Sequence, residues 1–244
     1  MPNITINHMD LTFHIEYSNR RRSVRIRIVP PAAIEVVAPT GLSQKEIELL
    51  LHKRTTWIAA QLARLAVVAA SPLNASLADD APLLYLGLIR RLAVLPSPAR
   101  RAKVVLEDER LAVYLPATSP DDKADLVADA LRKWYIRSAS QLLTERTAYW
   151  AREIGVRPHR LSIRDQKTRW GSASTRGNVN YNWRIIMAPP ETVDYLVVHE
   201  LCHIKVPNHS ATFWLLVSQS VPDYKQHRAW LRQHGPVLAR LLSN

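Results

Sequence analysis

The sequence predicts an α+β fold, β-rich over residues 1–118 and helix-dominated over 119–244, with a small antiparallel sheet inside the second half. Three observations predict it. Apolar and polar residues alternate at several places before residue 118, which is the period of a half-buried strand. A long helical segment then runs to about Ile154 and stops before Gly155. Beyond Pro189-Pro190, further helical segments are punctuated by Pro207 and Pro222. With 16 prolines and only 6 glycines in 244 residues, the chain suits regular elements joined by stiff connections.

The elements follow in order. Leu11 to Ala38 reads as strands, because Val24, Ile26 and Ile28 alternate with Arg25 and Arg27 to give one apolar and one cationic face. Ile34, Val36 and Val37 make another short strand after Pro30-Pro31. Ser43 with Glu46 forms a capping box that opens a helix running past Trp57 to about Ala70. Residues 71–82 are a loop. Strands are expected at Leu83–Leu88, Arg91–Leu95 and Lys103–Leu115, the last folded back at Glu107–Arg110. Asp121 or Asp122 caps the long helix, whose Trp134, Tyr135, Leu142 and Trp150 supply core bulk. A second β region spans Leu161 to Met187 and turns at Ser174–Asn178. The closing helices cover Thr192–Lys205, His209–Val221 and Tyr224–Leu242.

Lys and Arg outnumber Asp and Glu by 33 to 21, for a formal net charge of +12. Such a surface attracts polyanions, so nucleic acid or a nucleotide is a candidate partner, with Arg20, Arg21, Arg22, Arg25 and Arg27 as the contact. High background basicity without a dedicated partner fits the charge equally well. No stretch approaches the ~20 apolar residues of a membrane span. The single cysteine, Cys202, excludes an intramolecular disulfide, and the N-terminus lacks the pattern of a secretory signal. Both favour a cytoplasmic setting.

His199-Glu200-Leu201-Cys202-His203 carries the chemistry. On a helix, residues four apart share a face, so both imidazoles can reach one metal ion. Glu200 then stands beside that ion, free to take a proton from bound water. Zinc suits this set, because it brings the pKa of bound water to near 7. A catalytic zinc takes three protein ligands and keeps one position open. His209 is the best third candidate, six residues beyond His203, the spacing of the longer H-E-x-x-H-x-x-G-x-x-H pattern. Where that pattern has glycine this chain has Val206, so Pro207 and a left-handed Asn208 are expected to make the turn. His227, His234 and Asp223 are reserve ligands. Cys202 is expected to be a small buried side chain.

Lys167-Thr168-Arg169-Trp170-Gly171-Ser172, Asn182-Trp183-Arg184, Asp194-Tyr195 leading into the His199–His203 motif, Asn208-His209-Ser210 and Phe213-Trp214 recur in one order and at close spacing. In these blocks the chain resembles the YgjP-like metallopeptidase family, related to the WLM and SprT-like zincins. The resemblance implies a zincin-like catalytic domain over 119–244. It also implies one Zn2+ per chain held by His199, His203 and His209, with Glu200 as base and a polypeptide substrate. Ala173 stands where the family often has cysteine, which removes any thiol role there. The Trp170-Gly171-Ser172 block resembles a strand bordering the cleft, able to pair with an extended substrate. Arg169, together with Arg164 and Lys167, would line that border. Tyr224 and His227 are candidates to stabilise the oxyanion.

Three functions compete. The first is a zinc metallopeptidase. The second is a metal-dependent hydrolase of nucleotides or other phosphorylated substrates, served by the surplus arginines but lacking a Gly-rich phosphate loop. The third is a nucleic-acid-associated protease of the SprT-like or WLM type, by analogy with those relatives.

Overall fold

A computed structural model describes residues 3–6, 9–29, 33–59, 61–62, 77–117, 123–166 and 168–242. It divides into two compact units, Met1–Ser71 and Pro72–Asn244. The sequence changes from strand to helix near 118, whereas compactness changes between Ser71 and Pro72. The strands over 82–116 share a core with the helices that follow them.

In the first unit, strands β1 (Asn3–Ile6), β2 (Met9–Tyr17), β3 (Arg25–Val29) and β4 (Ala33–Ala38) form a sheet in the order β1-β2-β4-β3. β2 and β4 run parallel, and β3 returns antiparallel to β4. Alternation puts Leu11, Phe13, Ile34, Val36 and Ala38 on the buried side. Arg25 and Arg27 lie exposed on the other side, as their spacing predicts. Helix α1 (Gln44–Lys53) opens with the expected capping box, in which Ser43 and Glu46 satisfy each other's end groups. Such a cap contributes about 1 kcal/mol.

The expected single helix to Ala70 is broken at Arg54. The Thr55 hydroxyl donates to the His52 carbonyl at 2.6 Å, competing for a helical acceptor. Helical backbone resumes over 55–59 and 61–62 (α2), placing Ile58 and Leu62 in the same core as Ile47 and Leu51. Residues 63–70 of that expectation lie outside the described residues, as do Pro30-Pro31 and the Asp121-Asp122 cap.

The second unit starts with β5 (Pro82–Tyr85), β6 (Leu88–Ser97), β7 (Lys103–Glu107) and β8 (Arg110–Pro116), in the sheet order β5-β6-β8-β7. The β5–β6 hairpin turns on Leu86 (φ 50°) and Gly87 (φ 76°), both left-handed as a two-residue hairpin requires. Its amides donate to the Ile186 and Met187 carbonyls, so the hairpin tip is tied to the segment that enters the site helix. Helix α3 (Ala124–Ile154) packs Leu131, Tyr135 and Leu143 into the core and ends on left-handed Gly155, as expected. Tyr135 donates its hydroxyl to the Leu84 carbonyl at 2.7 Å, which removes the cost of burying it.

The second β region is a three-stranded sheet in the order β10-β11-β9, from β9 (Arg160–Arg164), β10 (Gly171–Ala173) and β11 (Asn178–Asn182). β10 and β11 pair antiparallel across the expected turn, while β9 joins β11 in parallel. The strand expected to reach Met187 stops at Asn182, whose side chain caps a 3-10 turn over Trp183–Met187.

Helix α4 (Pro190–Lys205) follows, with proline at its first turn where no amide partner is needed. Val193, Leu196, Val197, Val198 and Leu201 bury it against α3, and Arg146 of α3 holds Asp194 through two bonds of 2.6 Å. Helices α5 (Ala211–Ser220) and α6 (Tyr224–Leu238) complete the unit. Ser210 caps α5, so His209 lies just outside the helix it was expected to open. α6 ends at Leu238, four residues short of expectation, with Pro236 in its last turn. Among the described residues, no helix is long and apolar enough to cross a membrane.

Candidate metal centre and its cleft

α4 carries His199 and His203 on one face, their ring centroids 4.9 Å apart and nearly perpendicular. The chain leaves α4 at Val206, which is extended (φ −129°, ψ 100°), and returns His209 toward them. The turn therefore differs from expectation, since Asn208 is not among the left-handed residues. An extended Val206 avoids the need for glycine.

One side-chain nitrogen from each histidine lies within 4.8 Å of the other two. His199 Nε2 and His209 Nε2 are 3.2 Å apart. Two nitrogens bound at about 2.0–2.1 Å to a tetrahedral zinc stand roughly 3.3 Å apart, so this donor set fits such an ion. His203 Nδ1 lies 3.2 Å from the Val206 carbonyl. Donation there fixes the tautomer and leaves Nε2 a free lone pair. Among the described residues, this is the cluster of three or more His, Cys, Asp or Glu side chains able to hold a metal ion.

Aromatic packing sets the rings. Phe213 is fully buried and stacks on His203 at 4.4 Å, and meets His199 edge-on at 5.0 Å. Trp214 stacks on His209 at 5.5 Å and on Tyr224 at 5.1 Å. Burial, then the neighbouring His203, His209 and Arg228, push the His199 pKa down to about 3. Burial lowers His203 as well, opposed by its bond to Val206. Both imidazoles are thus held neutral, the form that binds a metal.

The side chain of Glu200 packs against Gly171 of β10. Burial raises its pKa to about 8, against the pull of Arg169. Its carboxylate fills the space beside Gly171, where an added Cβ would stand 2.5 Å from Oε1. β10 is an edge strand, paired to β11 on one side and to no described strand on the other. The geometry thus brings an acid of raised pKa, a metal-competent triad and an open strand edge to one place.

A sequence profile for the YgjP-like metallopeptidase domain matches residues 22–234. The chain belongs to the YgjP-like metallopeptidase family. No curated protein matches the chain. One solved structure similar to part of it is the crystal structure of the metallopeptidase zymogen of Pyrococcus abyssi abylysin. That likeness has 21% identity over 36% of this chain and 90% of the other, with a TM-score of 0.35.

In this YgjP-like chain a cavity of about 240 Å³ opens beside the triad, lined by Trp170, Gly171, Tyr195, His199, Glu200 and Arg228 among others. Trp170 is held against Gly235 of α6, where a Cβ would meet the indole at 3.2 Å. Of the expected border residues, Trp170 and Gly171 reach the cavity. Ser172 instead accepts a bond from Asn180 within the sheet. Arg169 is exposed and acts on Glu200 through its charge. Arg164 lies near Asn180, and Lys167 is outside the described residues. Tyr224 supports Trp214 rather than lining the cavity.

The reserve ligands are engaged elsewhere. His227 bonds Thr192 and lies 3.1 Å from Asp223. His234 contacts the Trp230 carbonyl. Cys202 is fully buried, its thiol pushed up to about 12 by burial. Sequence reading missed Arg228, Tyr195 and the roles of Phe213 and Trp214. The available signal was helical spacing, since Arg228 lies four residues beyond Tyr224 on one face of α6.

Proposed function

We propose that this chain is a zinc-dependent peptidase in which His199, His203 and His209 hold one Zn2+ and Glu200 is the general base. The supporting observation is the approach of three imidazole donors to within 4.8 Å of one another, one residue from a buried acid. When bound, zinc would supply a Lewis acid that polarises a carbonyl and makes water a nucleophile near neutral pH. Glu200 takes the proton from the attacking water and delivers it to the leaving amine, from its place on the wall of the same cavity as His199. Edge strand β10 offers main-chain partners that hold an extended polypeptide without demanding a sequence. The single cysteine and its burial accord with a reducing, cytoplasmic setting.

The test uses zinc-loaded protein and Glu200→Gln, each incubated with unfolded protein and a panel of nucleoside triphosphates, with products read by mass spectrometry. Peptide fragments that require Glu200 support the reading. Nucleotide products that require Glu200, with polypeptide left intact, replace it with phosphoanhydride hydrolysis.

A second reading attaches to the first unit alone. A hollow of about 590 Å³ on the exposed sheet face is lined by Arg20, Arg21, Arg25 and Arg27, with Glu16 and Glu35 as its acids. Only Arg27 is seen paired, with Glu35 at 3.7 Å, among the described residues. This surface suits a nucleic-acid backbone. Binding that weakens steeply with added salt would support it, and no binding at low salt would remove it.

A further inference from the structure

We propose that Arg228 makes the cleft select a carboxylate on the substrate, either an acidic side chain near the scissile bond or a free C-terminus. This rests on the peptidase reading. Arg228 of α6 lines the cavity together with Gly171 and His199, and its charge reaches His199. Its guanidinium lies over the Trp214 ring at 4.9 Å. Trp214 itself stacks with His209 and Tyr224, which holds the platform under the cation. Stacking occupies the flat face of a guanidinium and leaves its N–H edge to meet a ligand.

No ion pair engages Arg228 among the described residues. Glu200 is the acid lining the cavity, and the charge acting on it comes from Arg169. The field of Arg228 reaches His199 and Tyr195 instead. The remaining walls include Leu196, Leu231 and Trp170, with Arg228 itself exposed at the rim. A cation stacked on Trp214 and free of ion pairs at the cavity rim is matched by a carboxylate through paired, charge-assisted bonds. An amide forms weaker bonds there, and an ammonium is repelled. The small volume suits one side chain or one chain end.

The experiment presents the zinc-loaded full chain with peptides that differ only by Glu, Gln or Lys at positions flanking the cleaved bond. Each is supplied with a free or an amidated C-terminus, and rates are read by mass spectrometry. Wild type is expected to prefer Glu over Gln at one position by about ten- to hundredfold. If the chain end is the ligand, the free C-terminus is preferred over the amide by a similar factor. Arg228→Lys should keep a weakened preference, and Arg228→Glu should reverse it toward Lys. Equal wild-type cleavage of all peptides overturns the role of Arg228 and leaves the peptidase reading standing. If nothing is cleaved, binding of the same peptides to zinc-loaded Glu200→Gln is read by tryptophan fluorescence. Carboxylate-dependent binding lost in the double variant with Arg228→Glu then keeps the selection and removes the peptidase reading. Binding indifferent to the carboxylate removes both.

Discussion

The Glu200 carboxylate occupies the place where a side chain at position 171 would begin, 2.5 Å from an ideal Cβ on Gly171. Only glycine lets α4 bring its acid this close to the backbone of an edge strand. Gly171→Ala therefore has to displace Glu200, while the histidines keep their packing on Phe213 and Trp214. A shift of about 1 Å in a catalytic group can cost 10²-fold in rate. The expected outcome is wild-type zinc content with kcat on a peptide lowered by about that factor. Metal analysis and steady-state kinetics on one preparation check it, and an undiminished kcat would show that the placement of Glu200 does not matter.

Metal binding should be legible in stability. An ion that binds only the folded chain stabilises it by an amount that grows with its concentration over Kd. One equivalent of zinc is expected to raise the Tm of the metal-free protein, and chelation should reverse the rise. His199→Ala and His203→Ala should abolish the response, and His209→Ala should weaken it sharply. His227→Ala should leave stoichiometry at one per chain, because His227 is committed to Thr192 and Asp223.

The metal-free protein should also show Glu200 in its pH dependence. Burial raises its pKa from 4.5 to about 8, so between those values the fold binds a proton that the unfolded chain has released. That contribution is complete below pH 4.5 and gone once the pH has risen past about 8. His199 acts oppositely, since its depressed pKa makes stability fall as pH drops from 6.5 toward 3. Comparison with Glu200→Gln cancels the histidine term. The glutamine variant should gain Tm over wild type progressively between pH 4.5 and about 8 and level off above, each kcal/mol moving Tm by about 2–4 °C. Parallel Tm curves for the two proteins would rule out a buried, protonated Glu200.

Away from the cleft, Asp165 accepts from Arg184 and from Arg132, the latter at 2.5 Å. Arg184 is almost fully buried and also donates to the Leu241 carbonyl. Burial pushes the Asp165 carboxyl up, but the two arginines outweigh it and hold it below the usual carboxylate range. Its stabilisation is therefore present above pH 3.8 and is lost as pH falls below that. Asp165→Asn is expected to cost about 3 kcal/mol at pH 7, the low end for removing one partner of a buried pair, because Asp165 is 34% exposed. Urea unfolding checks it, with wild type and variant converging in acid.

Much of the local structure was legible because its causes are local. The Ser43–Glu46 capping box, the stop at Gly155 and the Ser174–Asn178 turn each depend on residues a few positions apart. The exceptions lie where a distant or competing contact wins. Thr55 takes the His52 carbonyl and ends α1 early, and β9 joins β11 in parallel because the chain between them crosses through β10. A strand pattern through Trp183–Met187 becomes a 3-10 turn because the Leu86-Gly87 hairpin tip takes its carbonyls.

By itself, the sequence determined that His199, Glu200 and His203 would leave one helix at one end of a buried stripe, since a period of 3.6 residues fixes directions within a helix. It also nominated His209 by spacing. Only the tertiary structure decided that His209 Nε2 meets His199 Nε2 and that His227 and Asp223 do not join them. The same packing set Glu200 against Gly171 and placed Arg228 at the rim of the cleft. Those relations join residues up to 58 positions apart, as between Trp170 and Arg228. No periodicity encodes them, because they arise from how separate elements pack on a shared core.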